Sequence, residues 1–253
     1  MQPNLRHPEI LDLARNQGRV TVEGLAERFG VTVQTIRRDL SDLADAGQLQ
    51  RVHGGAVLPS GTTNIGYEDR RALNAVEKQA MAGACAALIP DGASVFLNIG
   101  TSTEALARAL LQHRRLLVVI NNMNVATILA ANPEAEVIVT GGTLRRSDGG
   151  LVGTLASDTI RQFKFDFAVI GCSALDQDGD LLDFDVQEVT VSQVILNQAR
   201  HSILVADHSK FHRNAPARIV SLQHIDTFIT DQALSLGVAN KCLEWNTKVI
   251  VAG

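Results

Sequence analysis

Apolar positions follow two different rhythms along the 253-residue chain. Over residues 1–58 they recur every three or four positions, the repeat of a helix with one buried face. Ile10, Leu11 and Leu13 predict a helix over 5–16, ended by Gly18. Leu25, Ala26 and Phe29 predict a second over 22–29, with Thr21 as its cap. Gly30 and Val31 make a tight turn, and Thr32 caps a third helix over 33–46 that Gly47 closes. In that third helix Val33, Ile36, Leu40 and Leu43 form one inward stripe. Residues 48–52 and 56–58 then read as two strands of a hairpin around His53-Gly54-Gly55.

Beyond residue 58 the rhythm changes. Residues 59–66, PSGTTNIG, are turn-rich and polar, so 59–74 is expected to be a linker between a unit over 1–58 and one over 75–253. Residues 68–88 predict one helix, stopped by Pro90-Asp91-Gly92. Short apolar runs follow at 94–99, 116–120, 137–139, 167–170, 203–206, 227–229 and 249–251. Helical stretches such as 103–111, 125–131 and 189–199 lie between them. Continuous apolar runs alternating with helices predict an α/β fold with a mostly parallel sheet covered on both faces.

Composition narrows this picture. Hydrophobic residues make up 45% and charged residues 20%, enough for a packed core. No apolar run approaches the roughly 18 residues of a membrane span, and no secretion signal is evident. A cytoplasmic protein without membrane contact is expected. Cys85, Cys172 and Cys242 are far apart and lack metal-ligand spacing, so reduced thiols and no metal or cofactor are expected. Asp176-Gln177-Asp178-Gly179-Asp180 lacks the glycine position and terminal Glu of a calcium loop and reads as an Asp-Gly turn.

The net charge of −4 does not point to nucleic acid, and residues 1–58 hold as many acidic as basic side chains. Placement matters more. Two helices joined by a short Gly turn form a helix-turn-helix, and the following hairpin is a wing. The outward face of the third helix carries Gln34, Thr35, Arg37, Arg38 and Ser41, with Thr32 at its start. Arg51 and His53 lie near the wing tip. Arg and Gln read base edges through paired hydrogen bonds, while Thr and Ser suit bases or phosphates. The same pattern also fits a small helical domain with an exposed arginine pair.

In the second unit, Asn98-Ile99-Gly100-Thr101-Ser102-Thr103-Glu104 has the form of a strand, a Gly turn and a helix N-terminus. Free backbone N–H groups there suit a phosphate. A capping box between Thr101 and Glu104 is the other reading, and the two can coexist. Further polar groups follow the predicted strands: Asn121, Gly141 and Gly142 with Arg145 and Arg146, Gly171-Cys172-Ser173, and Asp207 with Lys210. Open α/β sheets place ligands at such strand ends. Arg145 or Arg146 and Lys210 would supply positive charge to a phosphate. Asp183, Asp185 and Glu188 could bind polyol hydroxyls or do acid–base chemistry, or Asp185 could simply cap a helix starting at Val186.

The run TVQTIRRDLSDLADAGQLQRVHGGAVLPS resembles the DNA-binding signature of the DeoR family of bacterial repressors. Residues 75–231 resemble that family's sensor domain, through NIGTSTEALARALLQH, NNMNVATIL, GGTLRRSDGGLVG, FKFDFAVIGCSALDQDGDLLDFDVQEV and DHSKFHRNA. Ser102 stands where Thr is usual in the family and His212 where Gly is usual. The resemblance implies a winged helix-turn-helix followed by a sensor similar in fold to ribose-5-phosphate isomerase. It implies a transcriptional repressor, not an enzyme, that binds double-stranded operator DNA as a dimer or tetramer. The likeness is greatest to members that govern glycerol metabolism, so the implied effector is a small phosphorylated polyol, glycerol 3-phosphate. A different sugar phosphate, or an isomerase-like activity, are the alternative readings. Residues 170–173 lack the acids that the similar isomerase carries after the equivalent strand.

Overall fold

The computed structural model describes residues 6–17, 19–52, 54–59, 64, 66–72 and 74–252. Its first elements are helix α1 (Arg6–Gln17), strand β1 (Arg19–Thr21), helices α2 (Val22–Phe29) and α3 (Val33–Asp45), and strands β2 (Gln50–Val52) and β3 (Gly55–Val57). The Thr21 side chain accepts from Gly24 N–H at 3.1 Å and starts α2. Gly30, at φ 62°, ends it in the left-handed conformation. The Thr32 hydroxyl accepts from Thr35 N–H at 3.2 Å and starts α3. Ile10, Ala14, Leu25, Ile36, Leu40 and Leu43 form a core of their own with Val20 and Ala56. Val33 is only half-buried, so the inward stripe begins one turn later than the periodicity suggests. The sheet order is β1-β3-β2, all antiparallel. Strand β1 was not expected, because three residues carry too little alternation to register. It docks where Gly55 lacks a side chain: a Cβ there would lie 1.9 Å from the Val20 carbonyl oxygen.

The expected helix over 68–88 is two helices, α4 (Tyr67–Ala72) and α5 (Ala75–Ala86). Asn74 breaks it at φ 53°, in the left-handed region, and donates its side-chain N–H to Asp207 at 2.8 Å. A long-range hydrogen bond overrides local helix propensity at that residue.

The remaining chain builds β4 (Ser94–Leu97), α6 (Thr101–Ala109), β5 (Leu117–Ile120), α7 (Met123–Leu129), β6 (Glu136–Val139), β7 (Thr143–Arg145), β8 (Gly150–Val152), α8 (Thr154–Ile160), β9 (Phe165–Ile170), β10 (Ala174–Leu175), β11 (Asp180–Asp183), α9 (Val186–Asn197), β12 (Ala199–Val205), β13 (Ala217–Ser221), β14 (Thr227–Thr230), α10 (Leu236–Glu244) and β15 (Lys248–Val251). All seven expected apolar runs are strands of one parallel sheet, ordered β15-β14-β12-β9-β4-β5-β6. Successive residues serve opposite faces. Phe96 and Ala168 pack with Ile160 of α8, Ile195 of α9 and Val238 of α10. Val95, Leu97 and Val169 pack with Met81 of α5, Leu106 of α6 and Val125 of α7. The hairpin β7–β8 and the antiparallel sheet β10-β11-β13 are additions the apolar pattern does not show. Among the described residues, no helix is long and apolar enough to cross a membrane.

Strand β4 is where the winding reverses. From it the sheet grows one way through β5 and β6, and the other way through β9, β12, β14 and β15. A crevice must open between the C-terminal ends of β4 and β9, because the connections leave them in opposite directions.

Candidate nucleic-acid interface and ligand cleft

On α3, Gln34, Arg37, Arg38 and Ser41 are exposed, Thr35 is half-buried, and Ile36, Asp39, Leu40 and Leu43 face inward. Asp39 is held there by Arg6, whose Nε donates to it at 2.7 Å. Among the described residues, neither Arg37 nor Arg38 makes an ion pair, which leaves both guanidinium groups to solvent or a partner. Three other expected contact residues have local duties. Thr32 caps the helix. Ser41 donates to the Arg37 carbonyl at 2.9 Å. Arg51 donates to that same carbonyl at 2.9 Å and to the Ser41 hydroxyl at 3.3 Å, bracing the wing against α3. His53 lies outside the described residues.

The crevice between β4 and β9 is occupied by a narrow cleft. Gly100, Thr101 and Ser102 line it from the start of α6, Gly171, Cys172 and Ser173 from the end of β9, and Lys210 from the 3-10 turn His208–His212 after β12. Asp183, Glu188 and Arg70 complete it. Its free volume is about 30 Å³. Arg70, Asp183 and Glu188 also line an adjoining outer chamber of about 340 Å³, which holds Tyr67, Arg145, Asp148 and Asp185.

The start of α6 is built to stay open. Gly100, its N-cap at φ 151°, offers no side chain, and no side chain caps the helix. The expected capping box is absent: the Thr101 hydroxyl turns to the Arg70 carbonyl at 3.4 Å. Glu104 is buried and takes hydrogen bonds from the Tyr67 hydroxyl at 2.8 Å and from Asn124 at 3.0 Å. The first N–H groups of α6 and the positive end of its dipole therefore remain available to an anion.

Positive charge gathers at this end. Among the described residues, the Lys210 ammonium makes no hydrogen bond or ion pair. Burial holds its pKa below the ordinary lysine value; Asp207 opposes that shift, and Arg213 and Arg70 reinforce it. Arg70 donates to Asp148 at 3.3 Å, but its Nε is buried without a partner. Such a donor is costly to leave unpaired. Asp207 is not ion-paired to Lys210; its Oδ1 takes Asn74 at 2.8 Å and the Ser209 hydroxyl at 2.5 Å.

Arg145 is not part of this cationic end. It donates to Asp148 at 2.8 Å, to Asp185 at 2.7 Å and to Glu188 at 2.5 Å, so its charge is already matched in the outer chamber. Asp185 also caps α9, accepting from Gln187 N–H at 2.8 Å. Four other expected residues support the walls. The Thr103 hydroxyl donates to Asn98 and Gly100 carbonyls at 2.6 and 2.7 Å. Asn121 is fully buried and donates to the Leu151 carbonyl at 3.3 Å. Gly141 and Gly142 pack against Leu155 and the Val152 carbonyl. Arg146 lines neither chamber.

Residues 6–62 match the DeoR-like helix-turn-helix domain, and residues 73–232 match the DeoR C terminal sensor domain. The chain belongs to the DeoR family. Its DeoR relatives include the glycerol-3-phosphate regulon repressor of Escherichia coli (strain K12), 45% identical over 231 residues, 91% of this chain and 92% of that one. The glycerol-3-phosphate regulon repressor of Haemophilus influenzae is 41% identical over 251 residues, 99% of this chain and 98% of that one. A slighter structural likeness, TM-score 0.41 at 14% identity over 55% of each chain, links this DeoR protein to ribose 5-phosphate isomerase A from Methanocaldococcus jannaschii.

Sequence reasoning missed Arg70. It sits in YEDRRA, inside the stretch expected to be a linker, and nothing in that run marks it. Its partner Asp148 is 78 positions away. Lys78 was missed too: it is buried, donates to the Arg70 carbonyl, and burial lowers its pKa to about 8.

Proposed function

We propose that this chain is a DNA-binding transcriptional repressor of glycerol metabolism genes, released from its operator by glycerol 3-phosphate. It is a regulator, not an enzyme, as its repressor relatives are. Residues 1–58 form the DNA-reading unit, with Gln34, Thr35, Arg37 and Arg38 facing the major groove. Residues 59–74 join it to the sensor unit, 75–253. The protein acts in the cytoplasm, and reading two half-sites calls for at least a dimer.

The observation that carries the effector reading is the meeting of an α6 N-terminus that no side chain caps with an Arg70 Nε and a Lys210 ammonium that have no hydrogen-bond partner among the described residues. A phosphate supplies what all three lack. It accepts from the helix N–H groups and from Arg70, and its charge offsets the repulsion between Lys210, Arg70 and Arg213. The route to DNA is short. Helix α4, which carries Arg70, follows the DNA-reading unit directly, and α1 lies against the 3-10 turn that carries Lys210.

The test is thermal unfolding of the full chain with glycerol 3-phosphate, glycerol and other sugar phosphates, followed by operator binding. A ligand at about 100 times its dissociation constant adds about 2.7 kcal/mol. Glycerol 3-phosphate is expected to stabilise the protein and loosen its operator, and glycerol to do neither. Stabilisation by a five- or six-carbon sugar phosphate alone would replace the named effector and keep the mechanism.

A further inference from the structure

The cleft has a second pole. Asp183 is buried; its Oδ1 accepts from Phe184 N–H at 2.7 Å and Asp185 N–H at 3.5 Å. Glu188 accepts from Arg145 at 2.5 Å through Oε2. Among the described residues, Asp183 Oδ2 and Glu188 Oε1 take no hydrogen bond. Both carboxyl groups line the same narrow cleft as Lys210, Arg70 and the start of α6. One end is cationic and rich in donors, while the other presents two uncommitted carboxyl oxygens.

Resting on the phosphate reading above, we propose that Asp183 and Glu188 are the specificity-determining pair for the ligand's other end, selecting phosphate esters that carry hydroxyls on two adjacent carbons. A lone hydroxyl can pair with one of these oxygens and leaves the other without a ligand partner. A vicinal diol offers one hydroxyl to each of the two carboxyl groups that line the cleft.

The electrostatics fit this division of labour. Burial, with the charge of Asp183 second, raises Glu188 to about 8 against the pull of Arg145. The titratable and charged groups that share its chambers are Asp183 from β11, Arg145 from β7, Asp148 from the β7–β8 turn, Asp185 at the start of α9, Tyr67 and Arg70 from α4, Cys172 after β9 and Lys210 from the 3-10 turn. The upward shift favours the protonated form of Glu188, whose free oxygen can then donate as well as accept. A diol, each hydroxyl both donor and acceptor, complements that pair.

The test compares three probes on the full-length protein by calorimetry at pH 7: glycerol 3-phosphate, 3-hydroxypropyl phosphate, which lacks the middle hydroxyl, and inorganic phosphate. Glycerol 3-phosphate is expected to bind roughly 10- to 150-fold more tightly than 3-hydroxypropyl phosphate, the range for a hydrogen bond to a charged group. Glu188→Gln keeps a donor and an acceptor and should preserve that preference. Glu188→Ala should shrink it to a few-fold while inorganic phosphate binds as well as before. Equal affinity for the two esters in the unaltered protein would overturn the pair's role and leave the phosphate reading standing. Failure of all three probes to bind would sink the phosphate reading, and this inference with it.

Discussion

Each nitrogen of the Arg145 guanidinium donates to an acidic side chain, Nε and one terminal nitrogen to Asp148, the other terminal nitrogen to Asp185, with Glu188 sharing the terminal nitrogen that meets Asp148. Arg145→Ala leaves three acids facing one another. Removing one partner of a buried ion pair typically costs about 3–5 kcal/mol, so the variant should melt well below the parent. Lys210 is the opposite case, a desolvated side chain whose ammonium makes no hydrogen bond or ion pair among the described residues. Lys210→Met should melt no lower than the parent, bind operator normally and ignore the effector. A Lys210→Met protein that still responds would move the phosphate elsewhere. Glu188 sets a pH dependence. The folded chain holds its proton up to about 8, whereas an unfolded chain releases it near the ordinary value of 4.5. Between those limits the folded state binds more protons, so this group's contribution to stability falls as pH rises. Denaturant midpoints measured across that window should decline less steeply in Glu188→Gln than in the parent.

At the scale of elements, α4 joins the sensor side of the linker. Tyr67 reaches buried Glu104 and Asn124, and Arg70 reaches Asp148. A fragment beginning at residue 66 should therefore melt higher than one beginning at residue 75, which leaves Glu104 without Tyr67. Equal melting of the two fragments would show that α4 contributes nothing to the sensor. The wing is equally specific. Strand β3 can approach β1 only because Gly55 has no side chain. Gly55→Ala should unseat β1 from the sheet and abolish operator binding, while leaving the sensor's own unfolding transition in place.

At the scale of the whole molecule, cleft and reading helix belong to different cores, so effector action is a coupling free energy between them. Such couplings are typically about 1–3 kcal/mol, roughly 5- to 150-fold. Glycerol 3-phosphate should lower operator affinity within that range in a titration at fixed salt. Arg37→Ala and Arg38→Ala test the other end. Each should weaken binding by about 1–3 kcal/mol if it reads a base, and uniformly across sequences, with a shallower salt dependence, if it meets only phosphate. Unchanged affinity in both would remove α3 from the interface.

The amino-acid sequence by itself determined the parallel sheet, the helix-turn-helix and the exposed polar face of α3. Buried parallel strands are continuous apolar runs, and an amphipathic helix shows its period, so both survive in one dimension. It also marked Gly100 to Ser102, Lys210 and Glu188, because strand ends and helix starts are local. Only the tertiary structure decided which charges are spent and which are free. Arg145 and Arg70 are both basic residues beside short polar runs, yet one is bonded to Asp148, Asp185 and Glu188, while the other lines the cleft with its Nε buried and, among the described residues, without a partner. Those partners lie up to 78 positions apart, and no local pattern encodes such a meeting. The same holds for Asn74, whose bond to Asp207 breaks a helix that propensity alone would have continued. Local structure follows from neighbours in the chain, while the balance of charge in a cleft follows from neighbours in space.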